Sequence, residues 1–226
     1  MDPAGGGAVR RGVVIGIVGA ESSGKTQLAQ ALQRRLAARG LVVARVDEHL
    51  REFCDRHRRT SRIDEQAAIA AEQARRIEVA AAEHALVVAD TTPLMTAVYS
   101  EFVFGDTGLY ATAEAAHAQC ALTLLTALDL PWQADGLQRD GPQVREPVDS
   151  LLRAALGRIG QPYAIVAGRG EARTESAWRA LCRALPALGD PPADPADDAG
   201  GAPWRWHCER CGDATCERHA LLPRLG

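Results

Sequence analysis

The sequence predicts an α/β fold of three layers, a five-stranded parallel sheet between two layers of helices, and three observations carry that expectation. Five short apolar runs rich in β-branched residues alternate with stretches of helical period, the pattern of successive strand-helix-strand units. The first run, Val13-Val14-Ile15-Gly16-Ile17-Val18, leads straight into Gly19-Ala20-Glu21-Ser22-Ser23-Gly24-Lys25-Thr26. The third, Leu86-Val87-Val88-Ala89, closes on the carboxylate of Asp90.

The octet at 19–26 reads as a P-loop. A glycine-rich turn between a buried strand and a helix points backbone N–H groups at an anion, and the positive end of the helix aims at the same place. Triphosphate suits such a cradle, with Lys25 reaching the β- and γ-phosphates and the Thr26 hydroxyl suited to Mg²⁺. Gly19, Glu21, Ser22, Ser23, Gly24, Lys25 and Thr26 are therefore the nucleotide-binding candidates. Lys25 is the sole lysine in a chain that otherwise takes its positive charge from arginine. A compact ammonium on a flexible stem follows a moving phosphoryl group in a way a planar guanidinium does not.

After the loop, Leu28, Leu32 and Leu36 give a helical period that Gly40 closes. A second strand over 41–46 delivers Asp47 and Glu48 to its carboxyl end, where open α/β sheets hold ligands. The alanine-rich segment 63–84 is a long helix. Asp90, ending the third strand, occupies the position of a carboxylate beside Mg²⁺, or else caps the helix opened by Thr91-Thr92-Pro93. Helix broken near Gly105 and Gly108 fills 93–119, a fourth strand 121–126 follows, and a turn-rich loop from Asp129 to Pro142 carries a lone Trp132. A helix over 147–158, a fifth strand over 163–167, a turn at 168–173 and a last helix over 174–185 complete the domain. Residues 1–11 are a flexible N-terminus, 12–185 the P-loop kinase or ATPase domain, 186–203 a linker of Pro, Ala, Gly and Asp, and 204–226 a Cys/His tail.

A net charge of -3, from 26 basic and 29 acidic residues, favours neither nucleic acid nor a membrane surface as partner. Arg56-His57-Arg58-Arg59 is a solvated face or a phosphate-side loop. With no membrane-length apolar run and no signal-like N-terminus, the expected location is cytoplasmic. Cys54, Cys120 and Cys182 are expected as buried thiols. Cys208, Cys211, Cys216 and His219 have the composition of a closed Cys3His zinc site, with His207 a competing fourth ligand, and Trp204 and Trp206 would dock the tail on the core or on a protein partner.

P-loop domains either hydrolyse nucleotide to signal or pass the γ-phosphoryl group to an acceptor. The carboxylates at the second strand favour transfer, because an acceptor hydroxyl needs a proton acceptor, Asp47 or Glu48. The order of the P-loop octet, Glu48 with Arg51-Glu52-Phe53, Asp90-Thr91-Thr92-Pro93 with Thr96, and Trp132 with Asp135-Gly136 resembles the nicotinamide riboside kinase domain of the NadR-type AAA group, over about residues 12–185. The resemblance implies ATP- and Mg²⁺-dependent phosphorylation of nicotinamide riboside to nicotinamide mononucleotide. It implies Glu48 near the acceptor hydroxyl, Asp90 at metal or ribose, and Trp132 and Asp135 beside the nucleoside, where an aromatic face meets a cationic ring. Trp132 as a half-buried packing residue is the other reading. Arg139 and Arg145 would be lid arginines, and Arg173 would lie on the adenine or cap the last helix. The family pattern places an arginine directly after Gly136-Leu137, whereas this chain has Gln138 there and Arg139 one place later. The DNA-binding and adenylyltransferase modules of the parent regulator are not expected, since some twelve residues precede the first strand and His-x-Gly-His is missing. A regulatory NTP-binding module read out through the tail is the alternative function.

Overall fold

The computed structural model describes residues 11–134 and 141–189. Five strands, β1 (Val13–Val18), β2 (Ala44–Val46), β3 (Leu86–Asp90), β4 (Leu122–Thr126) and β5 (Tyr163–Val166), form one sheet in the order β2-β3-β1-β4-β5, every pairing parallel. Helices α1 (Lys25–Ala37), α2 (His49–His57), α3 (Gln66–Glu83), α4 (Pro93–Phe104), α5 (Tyr110–His117), α6 (Arg145–Ile159) and α7 (Glu171–Ala184) make the crossovers.

Alternation along the central strands builds the two faces. Ile15, Ile17, Val88 and Leu124 pack with Leu28, Leu32 and Leu36 of α1 and with Trp178 and Leu181 of α7. On the other face Val18 and Leu125 meet Leu94 and Val98 of α4 and Val148 and Leu152 of α6, while Val14, Val87 and Ala89 meet Ile77 and Ala81 of α3. A strand buried on both faces reads as a continuous apolar run, which is why β1 and β3 stand out in the sequence. Because β1 lies directly beside β3, with Ile17 opposite Asp90, the P-loop and that carboxylate leave the sheet side by side.

Boundaries differ where an edge or a cap decides them. β2 is three residues, not six, because it is an edge strand paired with β3 only from Ala44 to Val46, and Val42 is 76% exposed. The segment after Glu48 is a helix, α2, and Arg56 to Arg59 form its solvated end: Arg58 is its left-handed C-cap and Arg59 pairs with Glu65 at 2.6 Å. That settles the basic run as a solvated face rather than a phosphate-side loop. α7 starts three residues before the expected position, so Arg173 lies inside a helix. Past α7, a 3-10 turn at Pro186–Leu188 follows, and Leu188 packs on the core. Cys54, Cys120 and Cys182 are buried free thiols, and burial pushes the Cys120 thiol up to about 12. Among the described residues no helix is long and apolar enough to cross a membrane.

Candidate active site

The P-loop is shaped by residues that do not belong to it. Gly19 has φ +152°, and a β-carbon there would collide with the Thr126 hydroxyl at the end of β4. That hydroxyl meets Ser23 Oγ at 2.7 Å and donates to Val18 O at 3.2 Å, while Ser23 Oγ donates to Ala20 O at 2.6 Å. The Ser23 side chain is thus a buried brace. Gly24 caps α1 in the left-handed region, where a β-carbon would also press on Leu130. Ser22 is left-handed without being glycine, at φ +53°, a strained conformation of the kind found where ligands are cradled. Lys25 Nζ lies over the loop, donating to Gly19 O at 2.9 Å and Ala20 O at 3.0 Å.

Asp90 is 1% exposed, and burial raises its pKa above the ordinary value. The Thr26 hydroxyl, hydrogen-bonded to it, and the charges of Lys25 and Arg51 oppose that rise, while Glu48 adds to it. All four groups therefore act on the charge of this carboxylate. Asp90 Oδ1 has no partner among the described residues. A buried orphan carboxylate oxygen beside a hydroxyl fits a hard divalent cation, so Thr26 and Asp90 are suited to Mg²⁺.

Glu48 is the residue before α2, with its side chain 13% exposed and Arg51 Nε at 3.6 Å one helical turn on. Asp47 points away: it is half exposed and held by Arg45 Nε at 2.8 Å. Of the pair, Glu48 is the carboxylate turned toward Asp90.

Trp132 Nε1 donates to Glu21 Oε1 at 2.9 Å, and Gln133 N donates to Ser22 Oγ at 2.8 Å. The loop after β4 is thereby latched onto the P-loop, which accounts for Trp132 and Glu21 together. Arg145, the first residue of α6, is buried and donates from Nη1 to Leu130 O at 2.8 Å, bracing the base of the same loop, and is not among the described residues that line the phosphate cleft. Asp135 and Arg139, and the zinc candidates Cys208, Cys211, Cys216 and His219, lie outside the described residues. Among the described residues no cluster of three or more His, Cys, Asp or Glu side chains is arranged for a metal.

Arg173 lies inside α7 rather than at its cap, buried and lining the cleft that runs along α1 and α7. Its guanidinium donates to Ser23 O at 2.7 Å, Ala127 O at 3.0 Å, Gly168 O at 2.8 Å and Asp129 Oδ1 at 2.7 Å, binding the P-loop to the loops after β4 and β5. Burial acts to raise the Asp129 carboxyl, but Arg173 and the Gly168 N–H outweigh it and hold the pKa below the ordinary value. A depressed carboxyl contributes stability that is full above its unfolded pKa, about 3.9, and is lost as pH falls through the folded value. Arg173→Leu is expected to cost about 2–3 kcal/mol at neutral pH, by stranding these acceptors, and to flatten the acid-side loss that the wild type shows below pH ~4. Urea melts from pH 7 to pH 3 measure both effects.

Two clefts flank the P-loop. One, of about 500 Å³, runs over Lys25, Thr26, Arg51, Gln133 and Arg169, and it is continued along α1 and α7 by a cleft of about 430 Å³ lined by Gly24, Gln27, Ala31, Leu130 and Thr174. The other, about 150 Å³ on the α2 and α4 side, is lined by Glu21, Leu50, Ser61, Gln66, Tyr99 and Phe104 among others. Sequence reasoning gave no role to Arg51, Arg169, Thr126 or Gln66. For Arg51 a signal existed, since three residues after Glu48 on a helix is the same face.

The comparisons with known proteins agree with this fold. A family described as an AAA domain matches residues 14–173. Two solved NadR structures, one in complex with NR and one with NAD and AMP-PNP, superpose with TM-scores of 0.63 and 0.61 at 19% identity, over 76% and 77% of this chain. The chain spans 50% of the length of each. Thymidylate kinase from Candida albicans superposes with a TM-score of 0.52 at 16% identity, over 76% of this chain and 91% of that one. The sequence has no significant match among curated proteins.

Proposed function

The chain belongs to the AAA domain family matched over residues 14–173, and from that premise we propose that it is an ATP-dependent nucleoside kinase, acting on nicotinamide riboside to give nicotinamide mononucleotide. The observation that carries this reading is the P-loop standing between two clefts, with Lys25 and Thr26 lining one of them and both, with Glu48, acting on the buried Asp90. A hydrolase that only signals needs the first cleft and a water; a second, partly aromatic cleft beside the phosphate cradle gives an acceptor somewhere to sit.

ATP would lie with its triphosphate in the P-loop and its base in the cleft along α1 and α7. Lys25 would leave the Gly19 and Ala20 carbonyls for the β- and γ-phosphates. Thr26 and Asp90 would hold Mg²⁺, which supplies neutralising charge to those phosphates. The acceptor 5′-hydroxyl oxygen bonds to the γ-phosphorus, the bond to the β,γ-bridging oxygen breaks, ADP leaves, and the hydroxyl proton passes to Glu48. Arg51, beside Glu48 and lining the phosphate cleft, is placed to offset charge on the transferring group. The latch from Trp132 to Glu21 keeps the loop after β4 over the cradle and limits water. Support also comes from NadR, solved with NR and with NAD and AMP-PNP.

Incubation with ATP, Mg²⁺ and a panel of nucleosides, read by mass spectrometry, is expected to give a phosphorylated nucleoside and an equal rise in ADP. ADP release indifferent to every nucleoside would overturn the kinase in favour of a regulatory ATPase. For residues 204–226 we propose one zinc held by Cys208, Cys211 and Cys216 with His219. Structural zinc sites bind with roughly 10–16 kcal/mol at neutral pH, enough to order a segment this short. Elemental analysis of protein purified without chelator is expected to find about one zinc per chain, absent after Cys208→Ser with Cys211→Ser; metal-free wild type with freely alkylated tail thiols would contradict it.

A further inference from the structure

Helix α3 sets an amide in the middle of its core stripe. Ile69, Ala70, Ile77 and Ala81 are buried along one side of the helix, and Gln73, at the same spacing, is 2% exposed. A polar side chain costs free energy in a core unless its polar atoms are answered. Each end of this amide is answered by backbone, 24 residues away on one side and 18 on the other. Gln73 Oε1 accepts from His49 N at 2.8 Å, and Nε2 donates to Thr91 O at 3.4 Å. A backbone N–H only donates and a carbonyl only accepts, so the two partners fix which way the amide faces.

Both partners are chain neighbours of site carboxylates. His49 opens α2 directly after Glu48, whose side chain makes no capping bond to its own helix. Thr91 directly follows Asp90 at the end of β3. It is a buried β-branched residue at φ +79°, a conformation that persists only where its surroundings hold it. Its N–H donates to Ile17 O of β1 at 3.0 Å, and its carbonyl receives Gln73. The two segments differ in how much they depend on the amide. β3 is paired on both sides, whereas β2, which leads to Glu48, is a three-residue edge strand. The turn at Thr91 is therefore the anchor, and the start of α2 is what the amide holds to it.

We infer that Gln73 is a positioning residue for Glu48: it ties the start of α2 to the turn after Asp90 and so sets where the proton acceptor stands relative to that buried carboxylate. The inference rests on the nucleoside-kinase reading and deepens it. Gln73 is not among the described residues that line the clefts, so it acts through Glu48 rather than on a substrate. Misplacing a reacting group by about 1 Å from outside the site can cost on the order of 10²-fold in rate.

Gln73→Met keeps the length and bulk of the side chain and removes both hydrogen bonds. It is expected to lower kcat for transfer to nicotinamide riboside by about 30-fold, with KM for ATP within ~2-fold of wild type. Gln73→Asn, one methylene shorter, keeps an amide in the core but cannot span both partners; it should show the same split and replaces Gln73→Met if that variant does not fold. Thermal melts and circular dichroism show which variants are folded. A merely structural role would lower activity whether or not Glu48 is present, and a double-mutant cycle separates the two. In the Glu48→Gln background the Gln73 change is expected to lower kcat by no more than about 3-fold further, because no base is left to misplace. Wild type that phosphorylates no nucleoside would overturn the kinase reading and this inference with it. An active wild type with kcat unmoved in the folded Gln73 variant, or with the full ~30-fold loss repeated in the Glu48→Gln background, would overturn the Gln73 assignment alone.

Discussion

Lys25→Ala is expected to leave the protein folded and to reduce phosphoryl transfer by on the order of 10³-fold, the loss typical of removing one preorganised donor from developing charge. The fold should survive because, among the described residues, Lys25 Nζ donates only to Gly19 O and Ala20 O, on the loop that begins its own helix, and both carbonyls can turn to water. The braces that shape the loop, Thr126 to Ser23 and Arg173 to Ser23 O, remain in place. Lys25→Arg is the sharper variant. A guanidinium is planar and bulky where the ammonium threads between two carbonyls at 2.9 and 3.0 Å, so this charge-conserving change should still cost about 10²-fold or more. Single-turnover transfer, with circular dichroism as the check on folding, measures both. Activity within ~3-fold of wild type in Lys25→Ala would remove Lys25 from the phosphates.

What the sequence made legible was local. Glycines, a lysine and a hydroxyl at fixed spacing between a strand and a helix fall within eight residues, and the apolar runs of β1 and β3 are buried on both faces and so read as unbroken. α2 escaped notice because it offers the core only Leu50 and Cys54, too short a stripe to set a period, with His49 the third buried residue. β2 was overdrawn because apolar Leu41 and Val42 continue its pattern past the last partner on β3. The site's supports were not legible because each joins distant parts of the chain. Thr126 reaches Ser23 across 103 residues and Arg173 reaches Ser23 across 150. No spacing in the chain marks either pair. Arg173 is buried among four acceptors on three loops.

Glu48→Gln is expected to lower kcat by about 10²- to 10⁴-fold while changing KM for ATP little, the range for loss of a positioned general base. The asymmetry follows from where Glu48 sits. It precedes α2, and its near neighbours are Arg51 at 3.6 Å and the buried Asp90. The amide keeps the shape and a hydrogen bond to the acceptor hydroxyl but cannot take its proton, so ground-state binding persists and the transition state loses support. Asp47→Asn is the control within the same pair. Asp47 is half exposed and held by Arg45 at 2.8 Å on the edge strand, so its change should leave kcat within about 3-fold. Steady-state kinetics of the two variants side by side decide between them: a larger loss in Asp47→Asn than in Glu48→Gln would move the base to the neighbouring residue, and equal small losses would mean the acceptor hydroxyl gives its proton directly to the transferring phosphoryl oxygens.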